Sequence, residues 1–349
     1  MAYISFQPND YFNTKLYTGN ASTNAITGVG FQPDWVWIKD KGSAGYSHML
    51  FDAVRGATKR LRSNSNAAES TIADTLTSFN SDGFTLGADA SSTEVNRSSA
   101  SYVSWNWKAN GQGSSNTDGS INTTASSANT TSGFSISTYT GTGSNATVGH
   151  GLGAVPKVVL VKGLGHTSQW YMYHVGTGAN GVMLLDNNAA KTTDTVSWQN
   201  TTPTSSVFSI GNDGGTNGSG NTYIAYCFAE KKGFSKFGSY VGNGNADGTF
   251  VYTGFKPAFV MIKRYDSGTL DWNIYDSKRP AFNETNKALW ANTNDNEANV
   301  GTHGIDLLSN GFKIRTSNDQ LANNGGSFLY MCFAEKPLVS SNGVPATAR

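Results

Sequence analysis

Apolar and polar positions alternate in short bursts along this chain, and one burst is written three times. GFQPDWVWIK (30–39), GAVPKVVLVK (153–162) and GFKPAFVMIK (254–263) each run from a glycine through a proline into apolar residues closed by a lysine. Neither face of such a strand is polar, so it is expected to be covered on both sides by another sheet or a neighbouring copy. The proline marks entry where no ladder donor is needed, and the lysine is expected to mark the exit to water.

Other anchors recur around it. LYTG (16–19), TYTG (138–141) and SYVG (239–242) precede it, and YVSWNWKA (102–109), YIAYCFAE (223–230) and FLYMCFAE (328–335) close each copy. Pro33 to Trp107 is 74 residues, Pro156 to Phe228 is 72 and Pro257 to Phe333 is 76. Matching ends at near-constant spacing are the signature of an internal repeat. HMLFD (48–52), WYMYH (170–174) and WNIYD (272–276) form a further strand set. LRSNSNAAE (61–69) matches LWANTNDNE (289–297), with LLDNNAAK (184–191) as the divergent second version.

Between these anchors the chain reads as strands of four to eight residues separated by Gly, Asn and Asp, with no sustained helical period. One helical turn is expected at most, around residues 67–76. The fold class is therefore all-β, as three tandem β-sandwich (jelly-roll-like) repeats of about 100 residues. The division is an N-terminal segment (1–10), repeat 1 (11–109), a Ser/Thr/Asn/Gly-rich connection (110–132), repeat 2 (133–232), repeat 3 (233–337) and a C-terminal arm (338–349) suited to docking on a partner. The connection either extends or folds over the surface. Repeats 2 and 3 join with almost no linker and are expected to pack as a rigid pair. A row and a ring of repeats both remain open.

Composition narrows the functional classes. Among 349 residues, 40 are glycine, 12% are aromatic and only 14% are charged, with a net charge of +1. Such a chain has the apolar surface for real cores. It lacks the basic stripe of a nucleic-acid binder, since Lys59, Arg60 and Arg62 beside Arg55 are the only local cluster. No apolar run is long enough to span a membrane, and the first residues, MAYISFQPND, carry no secretory signal. Cys227 and Cys332 hold equivalent places in separate repeats, which sets them too far apart for a disulfide. They are expected to be buried apolar residues of a chain folded in a reducing cytoplasm.

Catalytic and metal motifs are thin. His48, His150, His166, His174 and His303 show no ligand spacing, and His174 is expected to be a hydrogen-bonded strand-end residue where the other repeats have Asp52 and Asp276. Glu69 and Glu297 are equivalent, but Lys191 replaces them in repeat 2. The loops GTGSNATVGHGLG (141–153) and NDGGTNGSGN (212–221) lack the helix a phosphate loop requires. NGNADGT (243–249) and ANTNDNEAN (291–299) lack calcium-loop spacing. No catalytic, cofactor-binding or metal residue is assigned, and no cofactor is expected. Two tryptophans off the anchors, Trp198 and Trp290, are the candidate partner or receptor contacts, because large amphipathic rings make good contact surfaces. The competing reading, favoured because three contiguous copies must bury surface between them, packs them against a neighbouring copy or another subunit.

ISFQPNDYFNTKLYTGN (4–20), ITGVGFQPDWVWIKDK (26–41), LFDAVRGATKRLRSNSNAAES (50–70), SDGFTLG (81–87) and SYVSWNWKANG (101–111) resemble a repeat domain of marine bacteriophage virion proteins, of cyanophage and pelagiphage type, often described as tail-fibre or structural proteins. The closing VPATAR is similar to that group as well. The resemblance is strongest over residues 1–111 and weaker through the other two repeats. It implies an all-β particle component, folded in the infected cytoplasm, without catalytic residues. Its implied partners are other virion proteins and a host cell-surface glycan or receptor, with homo-oligomers in the particle and no nucleic acid or membrane insertion. The leading expectation is a tail-fibre or host-adhesion protein. The alternatives are a capsid decoration protein, favoured by the missing fibre shaft, and a polysaccharide-degrading enzyme.

Overall fold

A computed structural model describes residues 7–280, 282–299, 303–336, 338–339 and 345–346. Apart from a three-residue 3₁₀ turn (Pro8–Asp10) and one helical turn (Gly214–Asn217), the described elements are strands. Residues 67–76 hold no helix; the single turn lies instead in the Gly-rich 212–221 loop, where the Asp213 carboxylate caps it by accepting from the Gly215 N–H. Most of the N-terminal segment and most of the C-terminal arm lie outside the described residues. Of that arm, only Leu338–Val339 pairing with Pro345–Ala346 is described.

Three large antiparallel sheets carry the same strand order. The first runs Phe12–Thr18, Ser101–Trp107, Trp35–Asp40, Met49–Asp52, Lys59–Arg62, Ser70–Thr71. The third runs Ser235–Val241, Ser327–Ala334, Pro257–Arg264, Asn273–Asp276, Lys287–Trp290, Ala298–Asn299. The second follows the same order from Phe134–Thr140 to Thr192–Thr193, with one strand added at its edge, Ala125–Asn129. That strand comes from the polar connection, which folds over the second unit and buries Ile121 and Ser127. A smaller sheet covers the outside of each large one: Asn24–Thr27, Gly83–Leu86 and Leu76–Asn80 in unit 1, and Phe250–Tyr252, Gly311–Ile314 and Ile305–Leu308 in unit 3. Unit 2 has only two such strands, Ala146–Gly149 and Val207–Ile210.

The thrice-written strand now has its physical account. It is the third strand of the common order, and its alternate residues enter different cores. Trp35, Trp37, Val158, Leu160, Phe259 and Met261 all belong to one central cluster. Val36 and Ile38, Val159 and Val161, and Val260 and Ile262 point the other way, each pair into the separate core beneath its own small sheet. Both expected covers are present, a small sheet on one face and neighbouring units on the other, and the inner faces of the three units share one core. Aromatic rings join the units there: Trp35 lies 4.7 Å from Tyr226, Phe12 5.3 Å from Phe333, and Phe228 5.8 Å from Phe333 between ring centroids. Such pairs contribute beyond the area they bury. Pro156 and Pro257 sit where the ladder register shifts, a bulge that tolerates a residue without an N–H.

Polar contacts close the three units into a ring. The Trp170 indole donates to the Arg62 carbonyl (2.8 Å), and the equivalent Trp272 indole donates to the Leu184 carbonyl (2.9 Å). The third equivalent is His48, which has the Trp290 carbonyl near its ring although its Nε2 forms no hydrogen bond. Unit 2 thus reaches unit 1, unit 3 reaches unit 2, and unit 1 faces unit 3. A second ring of contacts repeats the cycle. Tyr226 Oη donates to Asp52 (2.8 Å), Trp105 Nε1 donates to Asp276 (3.1 Å), and His174 Nε2 lies 3.1 Å from the Tyr330 carbonyl. Unit 3 places Met331 where the others have Tyr226 and Trp105, and there the acceptor is a backbone carbonyl facing a histidine instead of an aspartate.

The strand-end lysines do not leave for water. Lys39, Lys162 and Lys263 are each 0% exposed. Lys162 Nζ donates to Ser168 O (2.7 Å) and, across units, to Asn66 O (3.2 Å); Lys263 Nζ donates to Arg264 O (2.6 Å) and to Asn188 O (3.4 Å). Lys39 donates to Asp40 O and Tyr46 O. A lysine's three donors suit it to gathering carbonyls where strand ends from two units meet. Burial lowers all three amines to about 8.

Candidate functional site

The carboxylates that a degradative enzyme would need are held in ion pairs. Asp52, Arg55 and Glu69 form a buried triad with Arg55–Glu69 at 3.0 Å, and Asp276, Arg279 and Glu297 repeat it with Arg279–Asp276 at 2.6 Å and Arg279–Glu297 at 3.4 Å. Lys59 and Lys287 add a second cation to each glutamate. Unit 2 has His174 and Lys191 in place of the acids, consistent with a structural device that one unit can do without. Cys227 and Cys332 are free and buried, and burial pushes the Cys227 thiol up to about 12. Among the described residues, no group of three or more His, Cys, Asp or Glu is placed to hold a metal, and no helix is long and apolar enough to cross a membrane.

The two sequence-selected tryptophans are not brought together. Trp198 is 2% exposed and packs edge-on against Tyr173 inside unit 2's outer core. It offers no surface to a partner, which corrects its assignment as a contact residue. Trp290 is half-buried against unit 3's outer core and donates its indole N–H to Asn273 Oδ1 (3.1 Å). Its backbone carbonyl faces His48, so it serves a seam between units.

A site emerges where unit 3 departs from its sisters. Seven residues separate Asp52 from Lys59, and His174 from Gly181, each counted to the start of the next strand, but eleven separate Asp276 from Lys287. The extra residues carry Phe282, which is 84% exposed. Its neighbour Asn283 fastens the loop to the edge strand of the small sheet, donating to Leu307 O and accepting from Leu307 N, both at 3.0 Å. Thr285 and Ile305 exchange backbone hydrogen bonds at 2.8 and 3.1 Å. Beneath lies a cavity of about 470 Å³, whose walls include Lys256, Phe282, Asn283, Leu308, Ser309 and Asn310. That volume is in the range of small-ligand sites.

The small sheet continues the departure. Outward positions that hold Ala25 and Thr27 in unit 1, and Thr147 and Gly149 in unit 2, hold Phe250 and Tyr252 in unit 3, which are 43% and 65% exposed. Gly254, at φ +84°, donates its N–H to Asn310 O (3.1 Å), and a side chain there would meet Tyr252 Oη at 3.6 Å. The tyrosine hydroxyl therefore lies beside Gly254, whose hydrogen-bond partner Asn310 lines the cavity. Gly311 keeps the next row flat, since a side chain would meet the Phe250 ring at 3.0 Å. The cationic wall is neutralised: Lys256 pairs with Glu335 at 2.8 Å. Ser277 is shared with a second cleft of about 270 Å³, walled also by Asn9, Phe12, Asn13 and Thr14 of unit 1. Asn9 Oδ1 and Thr14 Oγ1 are buried there without a hydrogen-bond partner in the protein.

The molecule thus defines a class: an all-β body of three like-ordered sheets closed around one core, with its exposed aromatics, among the described residues, on the third unit. The chain belongs to a family of domains of unknown function, DUF7483, whose profile matches residues 7–337. No curated protein and no solved structure matches it significantly.

Proposed function

We propose that this chain is a bacteriophage virion structural protein serving as a tail-fibre or host-adhesion module, with other virion proteins and a host-surface glycan or receptor as its partners. The observation that carries the reading is the contrast between units. The like-ordered large sheet recurs in all three, and among the described residues the exposed aromatics Phe250, Tyr252 and Phe282 are confined to the third. A rigid body that presents a single contact face suits attachment. The resemblance of residues 1–111 to marine phage virion domains supports placement in a particle that assembles in the host cytoplasm.

Capsid decoration is the second reading, and the cyclic arrangement of three like units favours it, since such a body matches a threefold site on a shell. The protein is read as non-enzymatic: both glutamates proposed for glycoside hydrolysis are paired with arginine and lysine. Immunogold labelling of purified virions with antibody to this chain separates the readings. Gold at the tail supports adhesion, gold over the head supports decoration, and absence of label with intact virions refutes both.

A further inference from the structure

Independently of where the chain sits in a particle, we infer that the ring carries an acid-sensitive latch. Protonation of His48 and His174 loosens the two seams of unit 3 and leaves the seam between units 1 and 2 closed. Unit 3 is the one that carries Phe250, Tyr252 and Phe282, so the latch acts on the hold of the exposed aromatics to the rest of the body.

Both histidines are buried where unit 3 brings a backbone carbonyl, and both are locked in one tautomer. The Trp37 indole N–H donates to His48 Nδ1 at 2.8 Å, and the Gly176 N–H donates to His174 Nδ1 at 3.0 Å. With Nδ1 accepting, the single ring proton of each sits on Nε2. The Trp290 carbonyl lies near the His48 ring, and the Tyr330 carbonyl lies 3.1 Å from His174 Nε2. A second proton has to enter at Nδ1, where an N–H already points. Charging either ring therefore breaks a hydrogen bond within its own unit and turns the ring away from its carbonyl.

The surroundings give the charge no support. Lys39 of its own unit and Arg279 of unit 3, itself paired with Asp276, bear on His48, and the Trp105 ring stacks beside it at 6.4 Å between centroids. No charged side chain among the described residues shifts His174. Burial holds both imidazoles below their ordinary 6.5, His174 at about 4. The seam between units 1 and 2 is made differently, by Tyr226 on Asp52 and Trp170 on the Arg62 carbonyl. An opened seam lets its histidine charge near the ordinary value, so the closed state is fully favoured above about 6.5 and loses about tenfold for each pH unit below it.

Global unfolding does not isolate the latch, because His150, whose Nδ1 accepts from the Leu152 N–H at 3.2 Å inside unit 2, adds to acid sensitivity. Backbone amides that cross the seams do. Gly45 donates to Asn294 and Glu297 to Lys41 between units 1 and 3, and Lys191 donates to Tyr265 between units 2 and 3. Glu69 donates to Leu164 and Ser168 to Asn66 between units 1 and 2, and every one of these bonds is 2.8 or 2.9 Å. The test is hydrogen exchange of the full chain, read at these amides at about pH 7.5 and about pH 5.5 and corrected for intrinsic rates. Protection of Gly45, Glu297 and Lys191 should fall about tenfold at the lower pH, while Glu69 and Ser168 hold within about twofold. In His174→Asn, whose side-chain oxygen accepts from Gly176 without titrating, Lys191 should keep its protection while Gly45 and Glu297 still lose theirs. Unchanged protection at the unit 3 seams, an equal loss at all these amides, or a Lys191 loss that survives His174→Asn overturns the inference. If that variant does not fold, the comparison within the parent chain decides alone.

Discussion

Replacing Tyr226 by Phe removes one atom from the seam between units 1 and 2. The hydroxyl donates to Asp52 Oδ2 at 2.8 Å, and both side chains are fully buried. Phe fills the same ring volume, so no cavity opens beyond the lost oxygen. Asp52 keeps Arg55, which binds it through both the side chain and the backbone N–H. The cost is therefore that of a single hydrogen bond to a charged acceptor, about 1.5–3 kcal/mol. Unfolding entropy of about 2.1 cal/mol/K per residue converts 2 kcal/mol into a fall in Tm of about 3 °C for a chain this long. Met331→Leu, at the equivalent position in unit 3 where no such bond exists, should cost less than about 1.5 kcal/mol. Urea and thermal unfolding followed by tryptophan fluorescence measure both. A Tyr226→Phe variant within about 0.5 kcal/mol of the parent, or one that destabilises only part of the transition, would refute the seam as an energetic element.

Two further outcomes follow from burial. Lys39, Lys162 and Lys263 release their protons near 8 in the folded chain, against an ordinary value of 10.5, so the unfolded chain holds more protons between those values. Stability should then rise with pH from about 8 until about 10, where buried tyrosines with raised values, such as Tyr139 and Tyr240, begin to oppose it. Urea midpoints across that range read the slope, Lys263→Met should reduce it, and a flat or falling profile contradicts the burial of these amines. Trp198→Ala should cost about 3–5 kcal/mol, as expected for deleting a buried tryptophan; a variant of unchanged stability would return Trp198 to the surface.

Much of the architecture was legible in the sequence because the central strand is unusual. Apolar on both faces, WVWIK announces two covers, and its three occurrences announce three sheets. What the pattern cannot supply is which cover is shared: Trp35 and Val36 are equally apolar, and only the packing assigns one to the common core and the other to unit 1. The lysines misled for the same reason. A Lys at a strand end ordinarily meets water, whereas here Lys162 and Lys263 meet carbonyls of a neighbouring unit, a long-range event with no local signature, and Lys39 turns onto Asp40 and Tyr46 of its own unit. Trp198 lies off the repeated anchors, where a large ring reads as a contact surface, but it fills unit 2's outer core beside Tyr173. The groove had a signal that went unread, namely the longer interval between Asp276 and Lys287 and the aromatics at 250 and 252 where the other units have small residues.

Differential scanning calorimetry of the full chain tests the shared core most directly. If Trp35, Phe228 and Phe333 belong to one core, the 349 residues should unfold in a single transition. Its calorimetric enthalpy should be about 240 kcal/mol, from ~0.7 kcal/mol per residue, and should match the van't Hoff value. Three resolved transitions, or a calorimetric enthalpy about three times the van't Hoff value, would show three independent sandwiches and contradict the ring.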